Sequence, residues 1–297
     1  MARAGQTGFW LRWSWRDLRE HWIAVVAIAV VLAIGTGVYA GLSSTSTWRR
    51  VSNDASFAAG NMYDLRSATN PGTFVDEGLL TDLLAELDDP TAIELATERL
   101  VVANQVDVDT ADGRQLVSAR VIGSGLADPG TVGRVWLRDG AVPVPGSGDA
   151  VLEAKFADFH GLDDTGELRI AGGTTVGWTG LGVAPEDFYV VGPEGSILAQ
   201  ADMATLYLDL SDAQQLLGHD ALVNELVLTL ADGAERDTIE ADVRARVDAL
   251  PGVGATVTVT EDAEAHRILY EDIDNDQQFF TALAVLILFA AALASFN

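Results

Sequence analysis

Two acidic runs are the first places in this sequence where side chains crowd closely enough to hold a cation. The run Asp107-Val108-Asp109-Thr110-Ala111-Asp112-Gly113 sets oxygen ligands beside a glycine, but the glycine falls one place late for an EF-hand loop and no Glu closes it. Asp272, Asp274 and Asp276 alternate, yet helical spacing spreads them around the axis, so a solvated face is expected there. The four histidines, His21, His160, His219 and His266, stand singly, and cysteine is absent, so no zinc set forms. A phosphate-binding G-x-x-x-x-G-K-[ST], a G-x-S-x-G elbow and an H-E-x-x-H helix are all missing. The sequence therefore predicts no catalytic, cofactor-binding or metal-binding residue, no cofactor, and no enzyme activity, ATP hydrolysis included.

What the sequence concentrates instead is chemistry suited to a membrane. Trp10, Arg12, Trp13, Trp15, Arg16 and Arg19 put three Trp within six residues, with Arg12, Arg16 and Arg19 on one helical stripe and Leu11, Trp15 and Leu18 on the next. This predicts an amphipathic helix in residues 1–21 lying in a lipid interface; the plainer alternative is a basic, aromatic flank that stops a span from sliding.

The segment such a flank would position follows at once. From His21 to Trp48 there is no Asp, Glu, Lys or Arg, and Trp22 to Leu42 is 21 residues, about 30 Å of helix at roughly 1.5 Å per residue. That run is longer than the apolar region of a signal peptide, so an anchor spanning 22–42 is expected. A second charge-free stretch, 277–297, contains 18 apolar residues from Phe279 to Phe296 and just reaches spanning length. Basic residues favour the cytoplasmic side, so the Arg cluster predicts a cytoplasmic N-terminus and an extracytoplasmic middle. Within the first span, Gly37-x-x-x-Gly41 has the spacing at which two membrane helices approach closely.

The chain carries 44 Asp and Glu against 18 Lys and Arg, a net charge of −26, which excludes nucleic acid as a partner because that binding runs on Lys and Arg. Between the spans the patterning predicts an α+β extracytoplasmic domain, 43–276. Met62–Arg66 reads as a strand, Asp76–Leu87 as a helix, and Ala92–Asp109 as one or two strands. Near the other end Asn224–Leu230 reads as a strand, Glu235–Leu250 as a helix with Ile239, Val243, Val247 and Leu250 on one face, and Ala255–Thr260 as a strand. Glu240 with Arg244, and Asp242 with Arg246, stand at i,i+4 on that helix's outer side.

Two β-α-β halves are thus expected to flank a β-rich insertion at about 112–207. In the insertion, Asp112-Gly113 marks a hairpin. Val151–Phe159, Glu167–Ile170, Thr174–Val183, Phe188–Val191 and Thr205–Leu210 read as short strands or strand-like pieces, and Ser211-Asp212-Ala213-Gln214 as the capping box of a short helix ended by Gly218. Thr258–Thr281 lacks Pro and Gly, so one continuous helix is expected over Glu264–Phe280, with Ile268, Ile273, Phe279 and Phe280 as its apolar points and with the role of coupling domain to membrane.

Taken in order, these residues resemble the FtsX-like permease family of ABC transporters, particularly members with a MacB-like periplasmic core domain. The carriers are Trp15-Arg16-Asp17-Leu18-Arg19 before a Gly-containing span, Trp48-Arg49 after it, Ala150-Val151-Leu152-Glu153-Ala154-Lys155-Phe156-Ala157, Gly161-Leu162 with Gly166, and Asp276-Gln277-Gln278-Phe279-Phe280 before the second span. Each motif is degenerate; their order and spacing cover almost the whole chain.

The resemblance implies a permease subunit in the cell membrane that pairs with a separate cytoplasmic ATPase, works as a homodimer or pseudo-dimer, and transmits ATP-driven motion to its outer domain to move or extract a substrate. It also implies a basic segment and further spans beyond Asn297, so this chain is expected to be the N-terminal part. Two other classes fit the layout: a two-span receptor or regulator whose outer domain binds a ligand or a wall hydrolase, and an anchored extracellular enzyme, against which stands the missing nucleophile. On the leading expectation, a reporter fused before Trp10 is cytoplasmic and one inserted near Gly146 is external. Equal labelling of both by an impermeant reagent refutes that topology.

Overall fold

A computed structural model describes residues 13–110, 113–189 and 203–296. The chain divides into two compact units, Asp54–Leu269 and the paired segments Met1–Asn53 with Tyr270–Asn297. In the second of these, residues 13–20 are helical. Helix α1, Trp22–Ala59, follows and is long and apolar enough to cross a membrane by length and composition. It ends at Gly60, where a side chain would strike the ring of Pro185.

The Asp54–Leu269 unit is built on a ten-stranded sheet. Its strands are β1 (Leu65–Thr69), β3 (Ile93–Thr110), β4 (Gly113–Ser124), β5 (Trp136–Gly140), β6 (Ala150–Glu153), β7 (Gly166–Ile170), β8 (Thr175–Val183), β9 (Met203–Asp209), β11 (Glu225–Leu230) and β12 (Ala255–Val259). The two-residue strands β2 (Val75–Asp76) and β10 (Leu222–Val223) pair with each other. The order is β12-β1-β11-β3-β4-β9-β6-β8-β5, with β7 bridging β3 and β8.

At one end of the sheet, β1 lies between β11 and β12, and β11 lies between β1 and β3, all antiparallel. The two β-α-β halves therefore interlock as split units within one sheet instead of standing on either side of an insertion. The correction has a physical reason. The first half has no helix long enough to cover a sheet alone: α2 is only Leu79–Asp82, continued by a 3-10 turn, and it shares one core with α5, Arg236–Asp248. Leu80 and Leu84 pack in the same cluster as Ile239, Val243 and Val247, with Leu250 at its margin.

The helix expected over Asp76–Leu87 is cut short because Asp76 pairs in β2, Gly78 adopts φ 92°, and the Glu98 carboxylate accepts from Gly78 N and Thr81 N at 2.5 and 2.7 Å. Helix α5 and both of its i,i+4 pairs stand as the periodicity predicts.

Strand β3 joins the two ends of the sheet. Its first seven residues pair with β11 and the rest with β4, in a hairpin whose register runs to Thr110 opposite Gly113. Asp112, the expected turn residue, lies outside the described residues. The far part of the sheet, β4-β9-β6-β8-β5, carries a second core of Leu100, Val121, Leu152, Phe156, Leu206 and Leu208.

Two further readings of the sequence are corrected here. Val151–Phe159 is not one strand: the fully buried Glu153 accepts from Lys155 N at 3.0 Å and Phe156 N at 2.7 Å, and this cap converts β6 into α3, Ala154–His160, closed by Gly161 in the left-handed region. The helix α4, Leu210–Leu217, is capped two residues before the expected box, by Asp209 accepting from Ser211 N; Gly218 ends it as expected. Phe188 and Tyr189 follow a 3-10 turn at Pro185–Asp187, and residues 190–202 lie outside the described residues. One helix, α6, runs Glu264–Phe296 and includes the stretch expected to be continuous.

Because the two cores share β3, residues 54–269 expressed alone are expected to unfold as one cooperative α+β unit. Leu206→Ala, at a fully buried position, should lower stability by about 2–5 kcal/mol. Leu116→Ala, 67% exposed, should change it by no more than about 0.5 kcal/mol. Denaturant titration followed by circular dichroism checks both, and two separate transitions would contradict the shared core.

Candidate functional site

In the unit that pairs α1 with α6, the facing residues are polar toward the far ends of both apolar runs. Arg49 reaches Asp272 at 2.5 Å and Asp276 at 2.8 Å, one carboxylate to each end of its guanidinium, because an i,i+4 pair lies on one helix face. Arg50 pairs with Asp274 and lies 5.4 Å from the centre of the Tyr270 ring. The alternating Asp residues thus meet arginines, which is what their spread around the axis permits.

A closer approach occurs at Gly35, where an added Cβ would lie 2.5 Å from Ile287 Cγ2. Gly37 and Gly41, the expected packing pair, meet nothing within 4 Å of such a Cβ among the described residues. Ile273 is buried, Phe280 half-buried and Phe279 exposed. Trp13, Trp15, Arg16 and Arg19 are exposed along their helical segment, while Trp10 and Arg12 lie outside the described residues.

The Asp54–Leu269 unit, to which the half-buried Ile268 belongs, holds a different feature: a chain of buried charges where the two cores meet. Arg99 is 2% exposed and sits at the last β3 residue paired with β11. Its Nε donates to Glu225 Oε1 at 2.8 Å, and its two terminal nitrogens donate to Glu186 at 2.5 and 3.2 Å. Glu225 also accepts from Arg66 on β1. One residue along, Asp187 pairs with Arg120 on β4 and accepts from the Tyr207 hydroxyl on β9 at 2.5 Å. Lys155 donates to the carbonyl of Phe188, and the Phe188 ring lies 5.3 Å from Phe57 near the end of α1. The Pro185–Phe188 turn thereby pins strands from both cores and the last turn of α1.

Burial and the neighbouring guanidiniums move these carboxyls in opposite directions. Burial pushes the Glu186 carboxyl up, but the charges of Arg99 and Arg120 outweigh it and bring its pKa down to about 2. Glu225 is likewise lowered, its burial outweighed by Arg99 and Arg66. Asp187 moves the other way, raised by burial in spite of Arg120. These ion pairs and the Tyr207 hydrogen bond tie β1, β3, β4, β9 and β11 to the turn after β8.

No protein-family model and no curated protein matches the chain. Solved structures similar to it include the periplasmic region of MacB from Actinobacillus actinomycetemcomitans, at 12% identity and a TM-score of 0.41 over 73% of this chain and 95% of that one. The extracellular domain of the noncanonic ABC-type transporter YknZ from Gram-positive bacteria is 12% identical, with a TM-score of 0.42 over 65% and 99% of the two chains. A domain of a putative permease protein from Porphyromonas gingivalis is 16% identical, with a TM-score of 0.38 over 68% and 90%.

The charged cluster escaped the sequence reading because its members are scattered from Arg66 to Glu225. One local signal existed: Arg99 stands next to Leu100 inside a strand, where a solvated arginine has no place.

Two outcomes follow from this chemistry. Arg99→Ala leaves Glu186 and Glu225 buried without their main partner and should cost about 3–5 kcal/mol in chemical denaturation. Glu186 and Glu225 have folded-state pKa values below their unfolded ones, so the stability they contribute is present above about pH 4.5 and is lost as pH falls from there toward about 2. Glu186→Gln should flatten that acid limb, measured by denaturation midpoints between pH 6 and pH 3.

Proposed function

We propose that this chain is a permease subunit of an ABC-type transporter, anchored with its N-terminus in the cytoplasm and its α+β unit outside, and that it passes motion from a separate cytoplasmic ATPase to that unit. The observation that carries the reading is helix continuity. Helix α1 is unbroken from the apolar run Trp22–Leu42 to Ala59, and α6 from Glu264 to Phe296. A helix without Pro transmits displacement along its axis, whereas a flexible linker absorbs it. The Arg49 and Arg50 ion pairs fix the two helices in register, and the ordered motifs from Trp15 to Phe280 support the same family reading.

In this reading α6 crosses the membrane as the second span. Trp10, Arg12, Trp13, Trp15, Arg16 and Arg19 engage lipid at the cytoplasmic interface. Gly37 and Gly41, open among the described residues, face a helix of another permease copy or of a pseudo-dimeric partner. Ile268 and Ile273 seat the coupling segment, and Phe279 and Phe280 mark its entry into lipid.

Affinity purification of the complete transporter's permease is expected to bring an ATPase subunit with it. Ile273→Pro should break α6 at a local cost of about 3 kcal/mol or more. Substrate export should then be lost while ATP hydrolysis stays measurable. Unchanged export would reduce the segment to a tether and remove the main support for transmission.

A further inference from the structure

Two large aromatic side chains of the Asp54–Leu269 unit stand in solvent at the β5 end of its sheet: Trp136 on β5 is 70% exposed and Phe159 on α3 is 68% exposed. Scattered singly, such residues need no explanation, but charge holds these two in one place. The Arg138 guanidinium on β5 forks onto Asp158, the residue before Phe159, at 2.6 and 2.9 Å, and its Nε donates to Asp139 at 2.7 Å.

The two faces of the sheet are told apart along β6, where Leu152 joins the core that holds Phe156 and Ala157 of α3, and Val151 joins the opposite cluster with Ile122 and Tyr207. Leu137 packs with that opposite cluster. Alternation along β5 therefore turns Trp136 to the α3 side, where Arg138 also reaches. Trp136, Arg138, Asp158 and Phe159 form one open patch.

Its chemistry favours a cation. Two carboxylates share one guanidinium, and the faces of both rings carry the negative end of a quadrupole. Elsewhere on the unit's surface Arg114, Arg236, Arg244 and Arg246 each pair with a carboxylate, and the chain's net charge is −26. A second copy of this chain and an anionic lipid surface are both repelled by such a field. The register shift between Leu137 and Asp139 bulges β5, and a bulged edge resists strand addition, so side chains make the contact.

We propose that this patch docks an arginine-rich segment of a partner protein, whose guanidinium groups lie on the Trp136 and Phe159 rings and meet Asp139 and Asp158. Arginine suits it better than lysine, because a planar guanidinium stacks on a ring and takes a carboxylate with two hydrogen bonds. The proposal stands on the patch and is independent of the transport reading.

The test uses the full chain in uncharged detergent micelles and a fluorescein-labelled peptide of four Gly-Arg repeats, followed by anisotropy at about 0.15 M sodium chloride. A peptide of four Gly-Glu repeats is the control and should not bind. Trp136→Ala and Phe159→Ala remove exposed side chains, so Tm should stay in place. Each should weaken binding about threefold and the double variant about tenfold, as expected for one and two exposed cation–π contacts. Asp139→Asn should weaken it too, whereas Asp237→Asn, the same charge change at an exposed position of α5, should leave it unchanged. Equal weakening by Asp237→Asn and Trp136→Ala would mean diffuse attraction to an acidic surface and would overturn the proposal. So would no binding of the Arg peptide, equal binding of the Glu peptide, or unchanged affinity in the double aromatic variant. A Trp136→Ala chain with half the particle mass in light scattering would assign the patch to a second copy. Quenching by brominated lipid in nanodiscs that disappears with Trp136→Ala would assign it to the bilayer, and either result also overturns the proposal.

Discussion

A guanidinium cannot be left dry and alone inside a protein, and Arg99 makes that constraint the centre of this one. Its strand hands over from one sheet neighbour to another at this residue, between a core closed by α2 and α5 and a core closed by α3 and α4. Apolar packing alone would tolerate several offsets at such a seam. A buried charge tolerates only the offset that brings Glu225 from β11 and Glu186 from the turn after β8 to its donors. That requirement fixes the turn, and the turn then sets Asp187 on Arg120, Phe188 on Phe57, and Pro185 against Gly60.

The paired helices obey a different rule. Their apolar stretches gain little from one another by hydrophobic burial if lipid surrounds them, so close approach and polar contacts carry the pairing. Gly35 against Ile287 supplies the approach, and Arg49 with Asp272 and Asp276 supplies the polar lock. The lock is exposed to solvent and is worth little as isolated ion pairs; one guanidinium shared by two carboxylates owes more to geometry than to charge.

What could be read from the sequence depended on whether the determining contact was local. Helix α5 was legible because Ile239, Val243 and Val247 recur at helical spacing, and the β3–β4 hairpin because its turn residues sit between two alternating runs. Helix α3 was not legible, since Val151 to Phe159 is apolar enough for a strand and only the carboxylate of Glu153 turns it into a helix. The interleaving was missed for a related reason: the sequence orders strand, helix and strand along the chain, and only the pairing of β1 with both β11 and β12 shows that the segments interleave. The buried charges were missed because nothing in a linear pattern links Arg66, Arg99, Glu186 and Glu225.

Lys155 is the one lysine among 18 Lys and Arg in the sequence, and its ammonium is half-buried against the Phe188 carbonyl, with burial holding its pKa below the usual range. Amine-directed reagents therefore meet this acidic surface with almost nothing to attack, and the side chain they do find is already engaged in the turn that joins the cores. Cross-links made through Lys155 would report the opening of that turn and little about the neighbours of the Asp54–Leu269 unit. Its 44 carboxylates are the chemical handle by which an associated subunit could be caught.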